Sequence, residues 1–142
     1  MGAGRPVKLN DEVQRKIVDA ISGGNYMDTA SAYAGISKDT FYRWLRRGER
    51  EKQRVAKNPR AKIKKEEKMY VELSDEVEKA LAKSEMRDVY IIGKAAESQW
   101  QAAAWRLERK FPKKWGRKNF LPENVETIDQ KIVFKEDVPK HD

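Results

Sequence analysis

The 142-residue chain contains no cysteine and only one histidine, His141, which is the second residue from the end. The lack of cysteine excludes disulfide bonds, thiolate nucleophiles and cysteine-based metal sites. It is consistent with a reducing compartment, and we expect a cytoplasmic location. A histidine so close to the terminus is not expected to be held in a catalytic or metal site.

Long apolar runs and phosphate-binding loops are also missing. No apolar segment approaches the roughly 20 residues that a helix needs to cross a bilayer, so no membrane partner is expected. The segment 93–95, Gly-Lys-Ala, lacks the upstream glycine and the following Ser or Thr of a P-loop. The acidic residues of segment 66–78 resemble solvated helix faces. We therefore predict no catalytic residue, no metal, no cofactor and no enzymatic activity.

Positive charge is abundant and unevenly distributed. The chain has 31 Lys and Arg against 23 Asp and Glu, a net charge of +8. Residues 1–60 carry a net charge of +6 and residues 61–118 carry +5, whereas residues 119–142 carry −3. A basic excess indicates an acidic partner, most commonly nucleic acid. The alternative is a highly charged, solvated helical surface without a nucleic-acid partner.

The chain is predicted to begin with a flexible arm, residues 1–9, followed by a helix that Asn10 caps. This first helix is predicted from apolar residues that recur at helical spacing: Val13, Ile17, Val18 and Ile21. The glycine pair at 23–24 is expected to end it. A second, short helix is predicted over about residues 26–34.

Residues 27–47 have the pattern of a helix-turn-helix motif. Gly35 suits a left-handed turn, and Ser37 is expected to cap a third helix. Phe41 and Trp44 lie three residues apart, so both are predicted to face the core. Together with the first helix, this pattern predicts a trihelical domain. Gly48 is expected to loosen the end of the third helix.

The domain boundary is expected at Asn58, because Pro59 disfavours a helical conformation there. The prediction is a helix-turn-helix DNA-binding domain at residues 10–58 and a second helical domain at residues 59–118. The second domain would begin with a long helix over about residues 61–96. Its apolar positions include Met69, Leu73, Val77, Leu81, Ile91, Ile92 and Ala95.

A further helix is predicted from about Ser98 to Pro112. Trp100 and Trp105 lie five residues apart and cannot share one helix face. Either one packs within the subunit and the other against a neighbour, or both pack within one subunit. Residues 128–134 alternate well enough for one short strand, within a tail of residues 119–142. The predicted fold class is therefore mainly α, with a short C-terminal strand.

The third helix carries a polar, basic face opposite its predicted core residues, and this face would enter a major groove. Arginine can form two hydrogen bonds with guanine, while lysine and tyrosine more often contact phosphate. Arg5 in the arm would reach a minor groove or belong to an unattached basic tail. The candidate DNA-binding residues are Arg5, Lys38, Asp39, Thr40, Tyr42, Arg43, Arg46, Arg47 and Arg50. The alternative is a helical hairpin used only for packing.

Three segments resemble the small terminase subunit of tailed bacteriophages. They are Gly4-Arg5-Pro6, then residues 25–37 (NYMDTASAYAGIS) with 40–45 (TFYRWL), and finally 102–112 (AAAWRLERKFP) with Trp115-Gly116. The second segment is shared with many helix-turn-helix proteins. The third segment is more telling, because it follows a long charged helix.

The resemblance implies a non-catalytic DNA-recognition subunit of a viral genome-packaging motor. Such subunits bind the packaging site on double-stranded viral DNA in the host cytoplasm. They recruit and regulate the large terminase subunit, which holds the ATPase and the nuclease. They form homo-oligomeric rings through a central helical hairpin. By this resemblance, residues 61–111 within the domain at 59–118 would oligomerise, and residues 128–135 would supply one strand per subunit. The tail, residues 119–142, would meet the large subunit.

Two other classes of protein remain open. A transcriptional regulator with the same DNA-binding domain would normally be a dimer on a palindromic site. A scaffold would use the trihelical domain to bind protein. The native mass distinguishes a dimeric regulator from a ring. A DNA-binding titration at two salt concentrations tests whether the protein is a scaffold that binds only protein.

Overall fold

The structure, a computed structural model, describes residues 8–117 together with the backbone of segments 125–128 and 131–134. Arg5 and most of the predicted arm lie outside the described residues. The chain divides into two compact units, Met1–Arg87 and Asp88–Asp142. The described residues are mainly helical, as predicted. None of their helices is both long enough and apolar enough to cross a bilayer.

The first unit contains α1 (Asp11–Ser22), α2 (Met27–Tyr33) and α3 (Lys38–Ala56). The side chain of Asn10 accepts a hydrogen bond of 2.9 Å from the backbone N–H of Val13, so the predicted N-cap is confirmed. Gly35 has a φ of 81°, in the left-handed region, and this conformation turns the chain between α2 and α3.

The core of the first unit is built by the first three helices and by the beginning of the next one, α4 (Lys68–Ala96). Ile17, Ile21 and Phe41 are fully buried in it. From α4, Leu73, Val77 and Ala80 join the same cluster. The sequence predicts a core of three helices, and the structure adds part of a fourth helix to it. Two predicted stripe residues of α4, Met69 at 40% and Leu81 at 43% exposure, lie outside the core.

Helix α3 continues to Ala56, so the expectation that Gly48 loosens its end is wrong. Gly48 is buried inside the helix, where α4 crosses closely. A Cβ atom at this position would collide with the backbone carbonyl of Tyr70. The glycine is thus explained by close backbone approach between two helices.

The segment between α3 and α4 explains why α4 begins later than predicted. The carboxylate of Glu51 accepts a hydrogen bond of 3.0 Å from the backbone N–H of Lys64, and Arg54 donates one of 2.8 Å to the carbonyl oxygen of Lys62. These contacts hold the chain against α3, and a short 3₁₀ turn at Lys65–Glu67 then leads into α4. The boundary predicted at Asn58 therefore lies inside the first compact unit.

The second unit contains the end of α4, then α5 (Trp100–Lys110) and α6 (Pro112–Trp115). Pro112 is fully buried at the first position of α6, where its missing N–H is not needed. Trp100 is 72% and Trp105 is 46% exposed within this chain. Each of the two alternatives packs at least one of these tryptophans within the subunit, and neither alternative is confirmed, since both side chains are exposed.

The tail contains two strands, β1 (Val125–Ile128) and β2 (Lys131–Phe134), where the sequence predicts one strand over 128–134. They pair antiparallel, with Val125 opposite Phe134 and Ile128 opposite Lys131. The segment predicted as one strand thus includes the last residue of β1 and all of β2. Strand propensity alone does not locate a reversal that lacks a glycine or proline.

Candidate nucleic-acid interface

Helix α3 separates an apolar face from a basic face, as the sequence predicts. Phe41 is 0% and Trp44 is 6% exposed, so both lie in the core. Arg43 and Arg46 are exposed on the opposite side. Within residues 8–117, neither guanidinium forms an ion pair with a carboxylate. Both are therefore available to an external anion.

The first turn of α3 is fixed by a side-chain cap. The hydroxyl of Ser37 accepts a hydrogen bond of 3.2 Å from the backbone N–H of Thr40 and donates one of 3.0 Å to the Thr40 hydroxyl. Thr40, a predicted DNA contact, is therefore half-buried in the cap. Lys38 and Asp39 remain exposed beside it.

Tyr42 is connected to α2 by its hydroxyl. This hydroxyl donates a hydrogen bond of 3.1 Å to a carboxylate oxygen of Asp28. The bond raises the pKa of Tyr42, with smaller contributions from burial and from the negative charge of Asp28. Tyr42 is 36% exposed, so part of the residue can contact a ligand, although its hydroxyl proton is donated to Asp28.

Arg47 lies apart from the other predicted contacts. Its guanidinium makes two hydrogen bonds to the carboxylate of Glu67, at 2.7 and 2.8 Å, and lies 4.1 Å from the ring centre of Tyr70. The bidentate bond raises the pKa of Arg47 and lowers the pKa of Glu67. The structure therefore places Arg47 between α3 and the start of α4, with half of its surface covered.

Further polar contacts join α3 to α4, and we name this set of contacts the α3–α4 clamp. It comprises the ion pair of Arg47 with Glu67, the close approach of Gly48 to Tyr70, the bond between Glu49 and Ser74, and the contacts of Lys52 with Asp75 and Glu78. Burial by itself would lower the pKa of Lys52, but the hydrogen bonds to Glu49 and Asp75 outweigh it and raise that pKa.

Glu51 is a buried acid of α3 that contacts the segment following this helix. Its carboxylate forms a bidentate pair with Arg54 and also accepts the bond from the Lys64 backbone. The bond with Arg54 and then that with Lys64 lower the pKa of Glu51 from 4.5 to about 2. Ionised Glu51 thus fixes the path of the chain from α3 towards α4.

We expect the first unit to lose stability in acid through Glu51. A folded pKa of about 2 against an ordinary value of 4.5 means that the bound carboxylate stabilises the fold fully above pH 4.5. This contribution is lost as the pH falls from 4.5 towards 2. Urea unfolding across this range measures the loss.

The control for the acid effect is the isosteric variant Glu51→Gln, which has no proton to gain at this position. Its free energy of unfolding is expected to depend less steeply on pH in that range than the wild type's. Glu49 and Glu67, whose pKa values are also lowered, keep part of the slope in both proteins. Identical slopes in the two proteins would show that Glu51 does not carry the effect.

The structure brings most of the predicted site residues to one face of α3. Lys38, Tyr42 and Arg43 lie there, and Arg46 and Arg50 continue it along the helix. The Nε of Arg50 also approaches the carbonyl oxygen of Arg46, at 3.4 Å.

The sequence did not indicate which residues contact the polar side chains of α3 from other parts of the chain. Asp28 orients Tyr42, and Glu67 and Tyr70 hold Arg47. Because these partners are distant in sequence, no local pattern indicates them. The one available signal was Gly48, a glycine inside a helical pattern.

The geometry defines a small, basic, mainly helical protein with an exposed arginine face on one helix of a compact four-helix core. Among the described residues, no group of three or more His, Asp or Glu side chains could hold a metal ion. The comparison with protein families gives a more particular result. Residues 9–120 match the family described as Bacteriophage Sf6, terminase small subunit-like.

The chain belongs to this terminase small subunit family. Neither a curated protein nor a solved structure gave a match. Membership in the family supports a role in phage DNA packaging, and in general it implies partnership with DNA and with a large terminase. Small terminases are generally the non-catalytic subunit.

Proposed function

We propose that this chain recognises the packaging site on double-stranded viral DNA and recruits and regulates the large terminase subunit in the host cytoplasm. The exposed arginine face of α3 is the observation that carries the proposal. Arg43 and Arg46 lie on it, opposite the buried Phe41 and Trp44. A major groove admits a helix that presents such groups to base edges and phosphates.

The proposed roles differ along α3. Arg43 and Arg46 would contact base edges or phosphates, because their guanidinium groups are exposed. Lys38 and Arg50, near the beginning and past the middle of the helix, would contact phosphates. Thr40 and Arg47 would support the face from within the protein, since one belongs to the cap and the other to the clamp.

The second unit supports the proposed homo-oligomer. Its part of α4 exposes Tyr90 and Ile91, at 66% and 55%, and α5 exposes Trp100. So many large apolar side chains on a small unit indicate a surface that is covered in an assembly. We propose that residues 59–118 mediate ring formation and that the helix-turn-helix function resides in residues 10–58.

We expect a variant that lacks residues 120–142 to bind DNA as the wild type does but to stimulate packaging poorly. The proposed DNA-binding face lies in α3, far along the chain from the deletion. The deletion removes the β1–β2 hairpin and the acidic tail proposed to contact the large subunit. A packaging assay with the cognate large subunit measures the effect.

The control is the affinity of the truncated protein for a duplex, which must equal that of the wild type. Full packaging activity of the truncated protein would contradict the role assigned to the tail. Loss of duplex affinity as well would show that the tail acts on DNA binding instead.

A further inference from the structure

A second basic surface lies in the other unit, around the corner between α5 and α6. Residues 105–117 contain six basic residues and one acidic residue. Lys110, Lys113, Lys114 and Arg117 are exposed, and we name them the α5–α6 basic patch. This charge density resembles that of the proposed DNA face, although the patch belongs to a different part of the chain.

The corner has a defined shape. Pro112 is fully buried at the start of α6. The Nε of Arg117 lies 3.2 Å from a carboxylate oxygen of Glu108, and this bond draws the residues after α6 back to α5. The one acid of the segment is therefore already paired with a base. Within residues 8–117, the three patch lysines have no carboxylate partner, so they are available to an external anion.

Two lysine ammonium groups of this corner lie close to aromatic rings. The ammonium of Lys110 lies 5.9 Å from the ring centre of Phe111, and that of Lys114 lies 5.6 Å from the ring centre of Trp115. Such cation–π contacts place the ammonium groups at the surface over the rings. Each of these two rings therefore has a lysine ammonium group beside it at the surface.

The composition favours a polyanion over a protein partner. Protein interfaces are depleted in lysine, particularly at their centre. Three of the four patch residues are lysines, which are strongly hydrated point charges suited to phosphate groups. A DNA backbone offers a regular row of such groups and needs no shape match beyond that.

We propose that the α5–α6 basic patch is a second DNA-binding surface, which holds the phosphate backbone without reading sequence. This inference rests on the proposed function, because it assumes that the protein engages duplex DNA. The patch would add phosphate contacts to DNA whose sequence α3 recognises. Affinity at the patch would be salt-dependent and independent of base sequence, as expected for phosphate contacts.

The test uses the full chain with Lys110→Gln, Lys113→Gln and Lys114→Gln combined, and a 40-base-pair duplex of random sequence as the probe. We expect about a tenfold loss of affinity at 100 mM salt and a salt slope shallower by about 2. The charge-matched control removes three lysines elsewhere, with Lys16→Gln, Lys79→Gln and Lys83→Gln. It is expected to change affinity by less than about threefold, because these lysines lie outside the patch.

A second variant replaces the three patch lysines by arginine and keeps their charge. It is expected to bind like the wild type. An equal loss in the arginine and glutamine variants would indicate a packing role and overturn the proposal. So would a changed native mass of the glutamine variant, or competition by polyglutamate as strong as that by duplex DNA.

The binding of the wild type and the binding of the glutamine variant together distinguish a refuted second surface from a refuted proposed function. If the wild type binds neither this duplex nor duplexes selected from a random library at any salt concentration, the proposed function fails. If the wild type binds and the glutamine variant behaves like its charge-matched control, only the second surface is refuted.

Discussion

Replacing Arg43 and Arg46 together by alanine is expected to weaken DNA binding by about 30-fold or more. Each arginine that contacts a base edge contributes about 1–3 kcal/mol, and 1.4 kcal/mol corresponds to a tenfold change. Both side chains are exposed on α3 and neither is paired with a carboxylate within residues 8–117. Fluorescence anisotropy with duplexes selected from a random library measures the loss.

The fold is expected to survive this double substitution. Neither side chain lies in the core, and the contact of Arg50 with residue 46 uses the backbone carbonyl, which alanine retains. Thermal unfolding of the variant should therefore match that of the wild type. The charge-matched control is Arg15→Ala with Lys16→Ala, which removes two positive charges from α1 and none from α3.

Unchanged affinity in the Arg43 and Arg46 double variant would contradict the assignment of the α3 face. Equal losses in that variant and in its α1 control would point to net charge and not to a specific surface. A loss of sequence preference in the α3 variant alone would support base contacts by the arginines.

Gly48→Ala is expected to destabilise the first unit by about 3 kcal/mol, because two helix backbones meet at this glycine. The new Cβ would collide with the carbonyl of Tyr70 and lie 3.2 Å from the Cβ of Ser74. The backbone of α4 cannot rotate away as a flexible side chain could. Chemical unfolding followed by circular dichroism measures the effect, and the melting temperature should fall by about 10 °C or more.

The matched control is Gly93→Ala, another glycine inside a helix. An added Cβ there meets only the guanidinium of Arg106, at an ordinary distance of 3.5 Å. Alanine favours helix over glycine by about 1 kcal/mol, so this variant is expected to be as stable as the wild type or slightly more stable. Wild-type stability of Gly48→Ala would show that α3 and α4 do not approach so closely.

The sequence was sufficient for features determined by local pattern. The spacing of Phe41 and Trp44 indicated which face of α3 is buried, and Gly35 indicated the turn before it. The exposed positions of Arg43 and Arg46 followed from the same helical period. Each of these predictions depends on residues within one turn or two of each other.

Features created by the crossing of distant segments could not be predicted in this way. Arg47 lies three residues after Trp44 and so borders the buried face of α3, but the sequence does not indicate its partners Glu67 and Tyr70 in the α3–α4 clamp. The burial of Leu73 in the first core likewise depends on how α4 returns to α3. A proline before a long helix indicated a boundary, but tertiary contacts extended the first unit past it.

The most direct test of the account is photo-crosslinking from the α3 face to bound duplex. A photoreactive residue at exposed Lys38 is compared with one at Tyr90, which is assigned to the proposed oligomer surface and lies outside both proposed DNA surfaces. The account predicts efficient crosslinks to DNA from position 38 and few from position 90. Crosslinks from position 90 but none from position 38 would contradict it.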